Sequence, residues 1–257
     1  MHRVLANGNC RLGGAILLAF VVAAALAPLL APQDPLLITG ERLRSPSGAH
    51  LLGTDGLGRD ILSRVLFGAR ASLSYAAVAA LLVMTIGALV GTVAGYFGGL
   101  VDTVLMRLVD IILALPGLVL SLAIAGLFEP SLTAVLFGLV SVWWVGYARI
   151  VRSLVLSVRE RDYVDAARAL GSGSFRLIAR HIVPNVAPSV LVLVTLRMGR
   201  LILAISGLSF LGLGAQPPTA EWGAMLNESR PYFPSYPHLM LAPGMAISLV
   251  VVGLNLL

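Results

Sequence analysis

Ala71 to Val101 carries no charged residue, and neither do Leu12–Leu30 and Leu239–Leu257. A segment of about twenty apolar residues is long enough for an α-helix to cross the roughly 30 Å hydrocarbon layer of a bilayer. Inside that layer no water reaches the backbone. Every N–H and C=O must then be satisfied internally, which a helix does within one segment. Of the 257 residues, 58% are hydrophobic and only 12% charged, with a mean hydropathy of +0.93. The apolar mass is divided among several runs rather than gathered for one soluble core. The fold class expected is an all-α membrane protein of about six transmembrane helices.

Charge narrows the function further. The net charge is +6, and all 18 basic residues are arginine. Without a lysine the chain cannot build a Walker A loop, whose phosphate contacts require one. Any ATP hydrolysis therefore belongs to another chain. The arginines cluster beside apolar runs, as the positive-inside rule describes, so no nucleic-acid partner is expected. Cys10 is the lone cysteine and cannot form an internal disulfide.

Along the chain, Arg3 and Arg11 precede the Leu12–Leu30 run, which reads as a first span with a cytoplasmic N-terminus. A cleaved signal peptide is the rival reading and leaves the later topology unchanged. Residues 32–70 carry five arginines against four acids and read as an external loop. Within it, Ile61, Leu62, Val65 and Leu66 form one apolar face of an interfacial helix, with Asp60 and Arg64 paired on the other. In the Ala71–Val101 run, Gly87, Gly91 and Gly95 recur every fourth residue, the ridge that lets two membrane helices approach closely. Arg107 and Asp110 are expected to pair near the inner end of the next span, which runs to about Leu127 with a kink at Pro116. A short turn at Glu129-Pro130 leads to the span Ser131–Ala148, where Trp143, Trp144 and Tyr147 read as an aromatic belt. The fifth span, about Val186–Leu213, contains Arg197 and Arg200, and Leu239–Leu257 is the sixth.

Between the fourth and fifth spans, Arg149 to Pro188 holds seven arginines and three acids. Asp162 to Leu170 reads as a short helix, with acids in its first turn and Gly171 ending it in a left-handed cap. A second short helix can start near Ser174 and is expected to stop before Pro184. Leu170, Phe175 and Ile178 are apolar side chains this hairpin could offer to a partner.

Asp165-Ala166-Ala167-Arg168-Ala169-Leu170-Gly171, followed by Arg180-His181-Ile182-Val183-Pro184-Asn185, closely resembles the "EAA" loop of permease subunits of bacterial ABC importers. Asp165 stands where that family usually has Glu. The Gly53-Thr54-Asp55 and Gly58-Arg59-Asp60 run and the Gly207–Gly214 run resemble its dipeptide, oligopeptide and nickel branch, so the similarity covers nearly the whole chain. That branch usually continues past the position of Leu257 with a short polar tail. The resemblance implies a type I importer transmembrane domain in the bacterial inner membrane. It implies a homologous second permease, two ATP-binding cassette subunits carrying ATP and Mg, and an external substrate-binding protein as partners. Asp165, Ala166, Ala167, Arg168, Leu170, Gly171 and Pro184 would then form the ATPase-coupling site. The expected layout is residues 1–31 for the N-terminus and first span, 32–70 for the external loop, and 71–257 for the core, with the coupling loop at 149–185.

Other functions fit less well. A hydrolase built on Ser209 would need glycine where Leu211 stands, and no histidine lies in a span to serve as base. A channel or secondary transporter would leave the loop motif unexplained. No residue is read as catalytic, as a metal ligand or as a cofactor ligand in this chain. Arg197 and Arg200 are candidates for the substrate path, because an arginine near the bilayer centre costs about 2.5–3.5 kcal/mol and needs a purpose or a partner.

Overall fold

The computed structural model describes residues 8–257, so Arg3 lies outside the described residues. Among those residues the regular secondary structure is helical, apart from a single isolated bridge between Thr54 and Asp60, and residues 31–60 run as turns and irregular backbone. The order is α1 (Gly8–Ala25), α2 (Ala27–Leu30), α3 (Ile61–Phe97), α4 (Gly99–Leu113), α5 (Gly117–Ala125), α6 (Leu132–Arg159), α7 (Asp162–Ala169), α8 (Ser174–Leu177), a π-helical turn at Ile178–Ile182, α9 (Val183–Phe210), α10 (Trp222–Ser229) and α11 (His238–Leu256). Among the described residues five helical segments are long and apolar enough to cross a membrane, with Ser174–Phe210 taken as one, and a sixth span results if α4 and α5 are counted as one broken helix. They bend by 85° across Ala114–Pro116. Pro116 has no N–H to continue the ladder, so the kink read from the sequence is a break.

The helices gather into two compact units. One comprises residues up to Val78, Ile124–Phe137 and Thr195–Leu257; the other comprises Ala79–Ala123 and Gly138–Val194.

In the first unit, α1 packs on α11 through a glycine pair. A Cβ on Gly13 would stand 2.6 Å from the Gly253 carbonyl oxygen. Residues 61–70 form the opening turns of the 37-residue α3, not a separate interfacial helix. Apolar Ile61 and polar Ser63 and Arg64 are all buried there, so the face that carries Arg64 is not turned to water. Asp60 and Arg64 do not pair with each other. Asp60 accepts from Ser63 and lies 3.0 Å from His50 Nδ1. Arg64 instead joins Arg59 on Glu228 of α10, at 3.0 and 2.5 Å, and both arginines face Asp55. Buried charge tolerates burial only when paired. The Gly-Thr-Asp and Gly-Arg-Asp run therefore supplies half of an ionic cluster that clamps α10 to the root of α3. Glu221, fully buried, caps α10 by accepting from the Gly223 and Ala224 amides and from Ser72 Oγ.

In the second unit, the glycine ridge of α3 meets α6. A Cβ on Gly87 would come within 2.5 Å of Tyr147 Cβ, and one on Gly91 within 2.5 Å of the Ala148 carbonyl oxygen. On Gly95 it would stand 2.9 Å from the Arg152 carbonyl oxygen. Trp144 and Tyr147 are buried in this unit's core with Val83, Val109 and Ala148, and Trp143 packs against the same cluster. They are core residues rather than a lipid-facing belt, because α6 places them on the face that the ridge brings closest to α3. Trp143 also donates to Ser121 Oγ of α5 at 3.2 Å, fastening the broken span. Asp110 pairs with Arg149 of α6 instead of Arg107, and Arg152 grips Asp102 through both Nε and Nη2. Residues on one helix were expected to pair, but the tight α3–α6 packing carries the arginines of α6 to the acids of α4.

Two outcomes follow. Gly91→Leu forces side-chain atoms onto an immobile carbonyl, an overpacking that costs about 1–3 kcal/mol or more, so the yield of monodisperse protein in detergent should fall. Glu228→Ala leaves Arg59 and Arg64 with Asp55 as their one remaining acid. Breaking a buried pair costs about 3–5 kcal/mol, and less is expected here because Glu228 retains 24% side-chain exposure. Glu228→Ala should lower the thermal midpoint in detergent more than Glu228→Gln.

Candidate functional site

The polar segment after α6 is shorter than its charge pattern suggests. α6 runs on through Arg149 and Arg152 to Arg159, about 42 Å at 1.5 Å per residue, so its last turns outreach the hydrocarbon layer. Only Glu160 and Arg161 then separate it from α7. Asp162 and Asp165 lie in the first turn of α7, where the macrodipole favours acids, and Arg168 in the last. Arg168 also reaches Asp165 at 2.6 Å, an exposed i,i+3 pair of modest worth.

Gly171 ends α7 as the sequence pattern predicts, with φ +81°. The Gly171 amide donates to the Arg168 carbonyl at 3.0 Å and the Ser172 amide to that of Ala167 at 3.1 Å, the pairing of a Schellman cap. Beyond it, α8 does not stop before Pro184. It passes through the π-helical turn directly into α9, and Val183 itself is helical at φ −55°, ψ −46°. The proline ring would strike the carbonyl four residues back in an α-helix. The wider π turn removes that collision, and Asn185 Nδ2 donates to the His181 carbonyl at 2.6 Å. Pro184 thus sits in the first turn of α9, a position proline tolerates.

The hairpin is held from beneath and bare on top. Val164 is fully buried, whereas Leu170 and Phe175 are 87% and 86% exposed, and Asp165, Ala166 and Arg168 are exposed beside them. Ala167 is half-buried, and Ile178 is partly covered at the edge of an apolar groove of about 410 Å³ that Val151, Val186 and Val190 also line. An eight-residue helix is not stable alone. Caps and the Val164 contact hold it while two large apolar side chains project. Isolated exposed apolar groups are ordinary, whereas these two stand together on a capped projecting hairpin rimmed by Arg161, Asp162, Arg168 and Arg176.

Arg159, grouped with the loop by its charge, has a different place. Its Nη1 donates to the carbonyls of Gly95 and Tyr96 at 3.1 and 3.0 Å. These belong to the last turn of α3, whose carbonyls have no helical partner. The root of α7 is thereby tied to the end of the glycine ridge. Only the general affinity of cations for helix C-termini could have hinted at this contact in the sequence. Tyr96, Phe97, Arg159, Glu160, Asp165 and Arg168 enclose a polar recess of about 570 Å³ beside it.

Arg197 and Arg200 lie on α9 in the other unit, Arg197 half-buried and Arg200 exposed. Gly199 between them faces α11, where a Cβ would meet Val251 at 3.6 Å.

The fold defines a multi-pass membrane protein with a short capped hairpin between two of its spans. Residues 87–257 match the family described as "Binding-protein-dependent transport system inner membrane component". The chain is 44% identical over 226 residues to the nickel transport system permease protein NikC of Escherichia coli (strain K12), covering 88% of this chain and 82% of that one. It is 40% identical to the dipeptide transport system permease protein DppC of Alkalihalophilus pseudofirmus, over 94% of this chain and 80% of that one. To the glutathione transport system permease protein GsiD of Pectobacterium atrosepticum it is 41% identical, over 82% and 70%. The chain belongs to the family of binding-protein-dependent transport system inner-membrane components and is a permease subunit of an ABC importer.

The cap geometry generates one expectation. Gly171→Val places a β-branched residue at positive φ, which costs about 1 kcal/mol or more. No neighbouring atom lies within 4 Å of a Cβ there, so the loss is conformational rather than steric. Amide hydrogen exchange should quicken over α7 and leave α3 and α6 unchanged.

Proposed function

We propose that α7 and the exposed Leu170–Phe175 tip are the surface through which this permease engages a cytoplasmic ATPase, with Asp165, Ala166, Ala167, Arg168, Leu170 and Gly171 at the contact. The observation that carries this is the pairing of a bare apolar tip with a rigid root. Leu170 and Phe175 project, while Arg159 fastens the base of the same hairpin to α3. Pro184 contributes indirectly, by fixing where the π turn hands the hairpin over to α9. A displacement of α7 driven by ATP binding would enter α6, α3 and α9 and alternate the access of the bundle. ATP and Mg would reside on two cassette subunits, with a homologous permease and an external substrate-binding protein completing the importer. The N-terminus and α7 would share the cytoplasmic side, since an even number of crossings separates them when the broken α4–α5 pair counts as one span.

For the cargo, we favour peptides or a chelated metal over a bare cation. Arg200 is exposed within a span, and lipid exposure of such a charge is costly. Facing the path, Arg197 and Arg200 would attract carboxylates, on a peptide C-terminus or on a chelator, and repel free nickel. Relatives named for nickel, dipeptide and glutathione transport bracket the range. Binding of peptides, nickel and nickel chelates to the cognate external protein would decide among them.

Two experiments test this reading. Ala167→Arg should leave membrane insertion intact and abolish transport-coupled ATPase activity in the reconstituted complex; normal coupled activity would sink the docking role. Arg200→Gln should lower uptake of an anionic peptide severalfold with assembly intact. Loss of assembly, or rescue by a charge swap in the partner permease, would assign Arg200 to the interface instead.

A further inference from the structure

A groove of about 750 Å³ opens in the first unit where the end of α2, the segment after it, the start of α3 and Thr219–Ala220 converge. Its polar lining has both signs of charge. Arg70 is exposed, and among the described residues it has no hydrogen-bond or ion-pair partner. Asp34 uses one carboxylate oxygen to accept from the Leu36 amide at 2.8 Å, and the other is free. The Gln33 side-chain carbonyl oxygen is buried without a donor, although the Gln33 backbone is anchored to Ser63 at 3.1 Å. An unsatisfied buried acceptor is costly, and a ligand bearing N–H donors would relieve it. The remaining wall is apolar, with Pro28, Leu36 and Phe67. Leu29, which follows Pro28 in α2, is 82% exposed.

The level of this groove follows from the sequence. Arg70 is the last charged residue before the charge-free run Ala71–Val101, and α2 ends the first span. The groove therefore lies where headgroups meet acyl chains. A cation, a carboxylate and a donor-seeking carbonyl above an apolar wall complement one kind of membrane molecule. It carries a phosphate, an amine with N–H groups and hydrocarbon tails. We propose that this groove is a binding site for a phospholipid with a primary-amine headgroup, phosphatidylethanolamine. Arg70 takes the phosphate, Gln33 and Asp34 take the ammonium, and the chains lie against Phe67, Leu36 and Leu29. Soluble zwitterions would leave the apolar wall uncovered, and an anionic lipid without an amine, such as phosphatidylglycerol, would bring no positive charge to the Asp34 carboxylate. The inference rests on the membrane placement of the helices and is independent of the coupling role of α7.

Native mass spectrometry of the assembled importer tests it, with phosphatidylethanolamine, phosphatidylcholine and phosphatidylglycerol added back in equal amounts after delipidation. Phosphatidylethanolamine should be retained about tenfold over phosphatidylcholine, whose trimethylated amine has no N–H; that is the range of one hydrogen bond to a charged group. Arg70→Gln should remove the retained lipid. Gln33→Leu, at a side chain whose carbonyl oxygen accepts no hydrogen bond, should bring the ethanolamine-to-choline ratio near one while phosphate-dependent retention persists. Equal retention of the two lipids by the parent would overturn the proposal, as would undiminished retention in Arg70→Gln. So would displacement by soluble glycerophosphoethanolamine at the concentration at which the lipid binds, which would indicate a site for a soluble amine phosphate. A photo-crosslinker at Leu36 that captures a partner subunit's polypeptide instead of lipid would also overturn it.

Discussion

The close approach of α3 and α6 is the contact on which the second unit depends. In a bilayer, lipid tails are as apolar as leucine side chains, so helices associate through close packing and polar contacts rather than through exclusion of water. Gly87, Gly91 and Gly95 remove the side chains that would hold the backbones apart, and α6 presents its own carbonyls to the gap. The contacts that the arginines of α6 make follow from that register. Arg149 and Arg152 come level with Asp110 and Asp102, and Arg159 reaches the open carbonyls of Gly95 and Tyr96. A larger residue at Gly91 would shift all these partners together.

The first unit solves a different problem, fastening a long polar segment to the root of α3. It does so with paired charge: His50 with Asp60, and Asp55, Arg59, Arg64 and Glu228 in one cluster. Burying such groups is favourable only when each has its partner, so α10 is fixed in place by the same residues that it neutralises. Trp222, fully buried, adds a hydrogen bond from its indole N–H to the Val65 carbonyl and an edge contact with Phe20 of α1.

The features legible in the sequence were those set by local geometry. Gly171 at the end of a short helix, the four-residue glycine spacing and the proline break at Pro116 each depend on neighbours within a turn or two. Contacts between distant segments were not legible. Asp60 and Arg64 stand at pairing distance on a helix, yet each found a buried partner that local spacing could not reveal. The aromatic residues Trp143, Trp144 and Tyr147 fit a membrane belt by composition and a packed core by geometry; the glycines opposite them decided the matter. At Pro184 the general rule for proline was right about the α-helix and silent about the π turn, which removes the clash on which the rule rests.

That turn bears on how a hairpin at the membrane face could act on the spans behind it. Had the chain stopped at Pro184 and restarted, a flexible joint would separate the hairpin from α9, and a push on α7 would dissipate there. Instead, two residues link α6 to α7, and α8 passes into α9 without leaving helical geometry. Both strands of the hairpin are thus continuous with spans, and Arg159 ties the first of them to a third. A π turn is a rare interruption of α-helical geometry, and such turns recur at functional sites. The π turn Ile178–Ile182 follows Phe175 by three residues and joins α8 to α9. Under the proposed coupling role, bending concentrated at that turn would let α7 tilt on its ATPase while α6 and α3 move as a pair held by the glycine ridge.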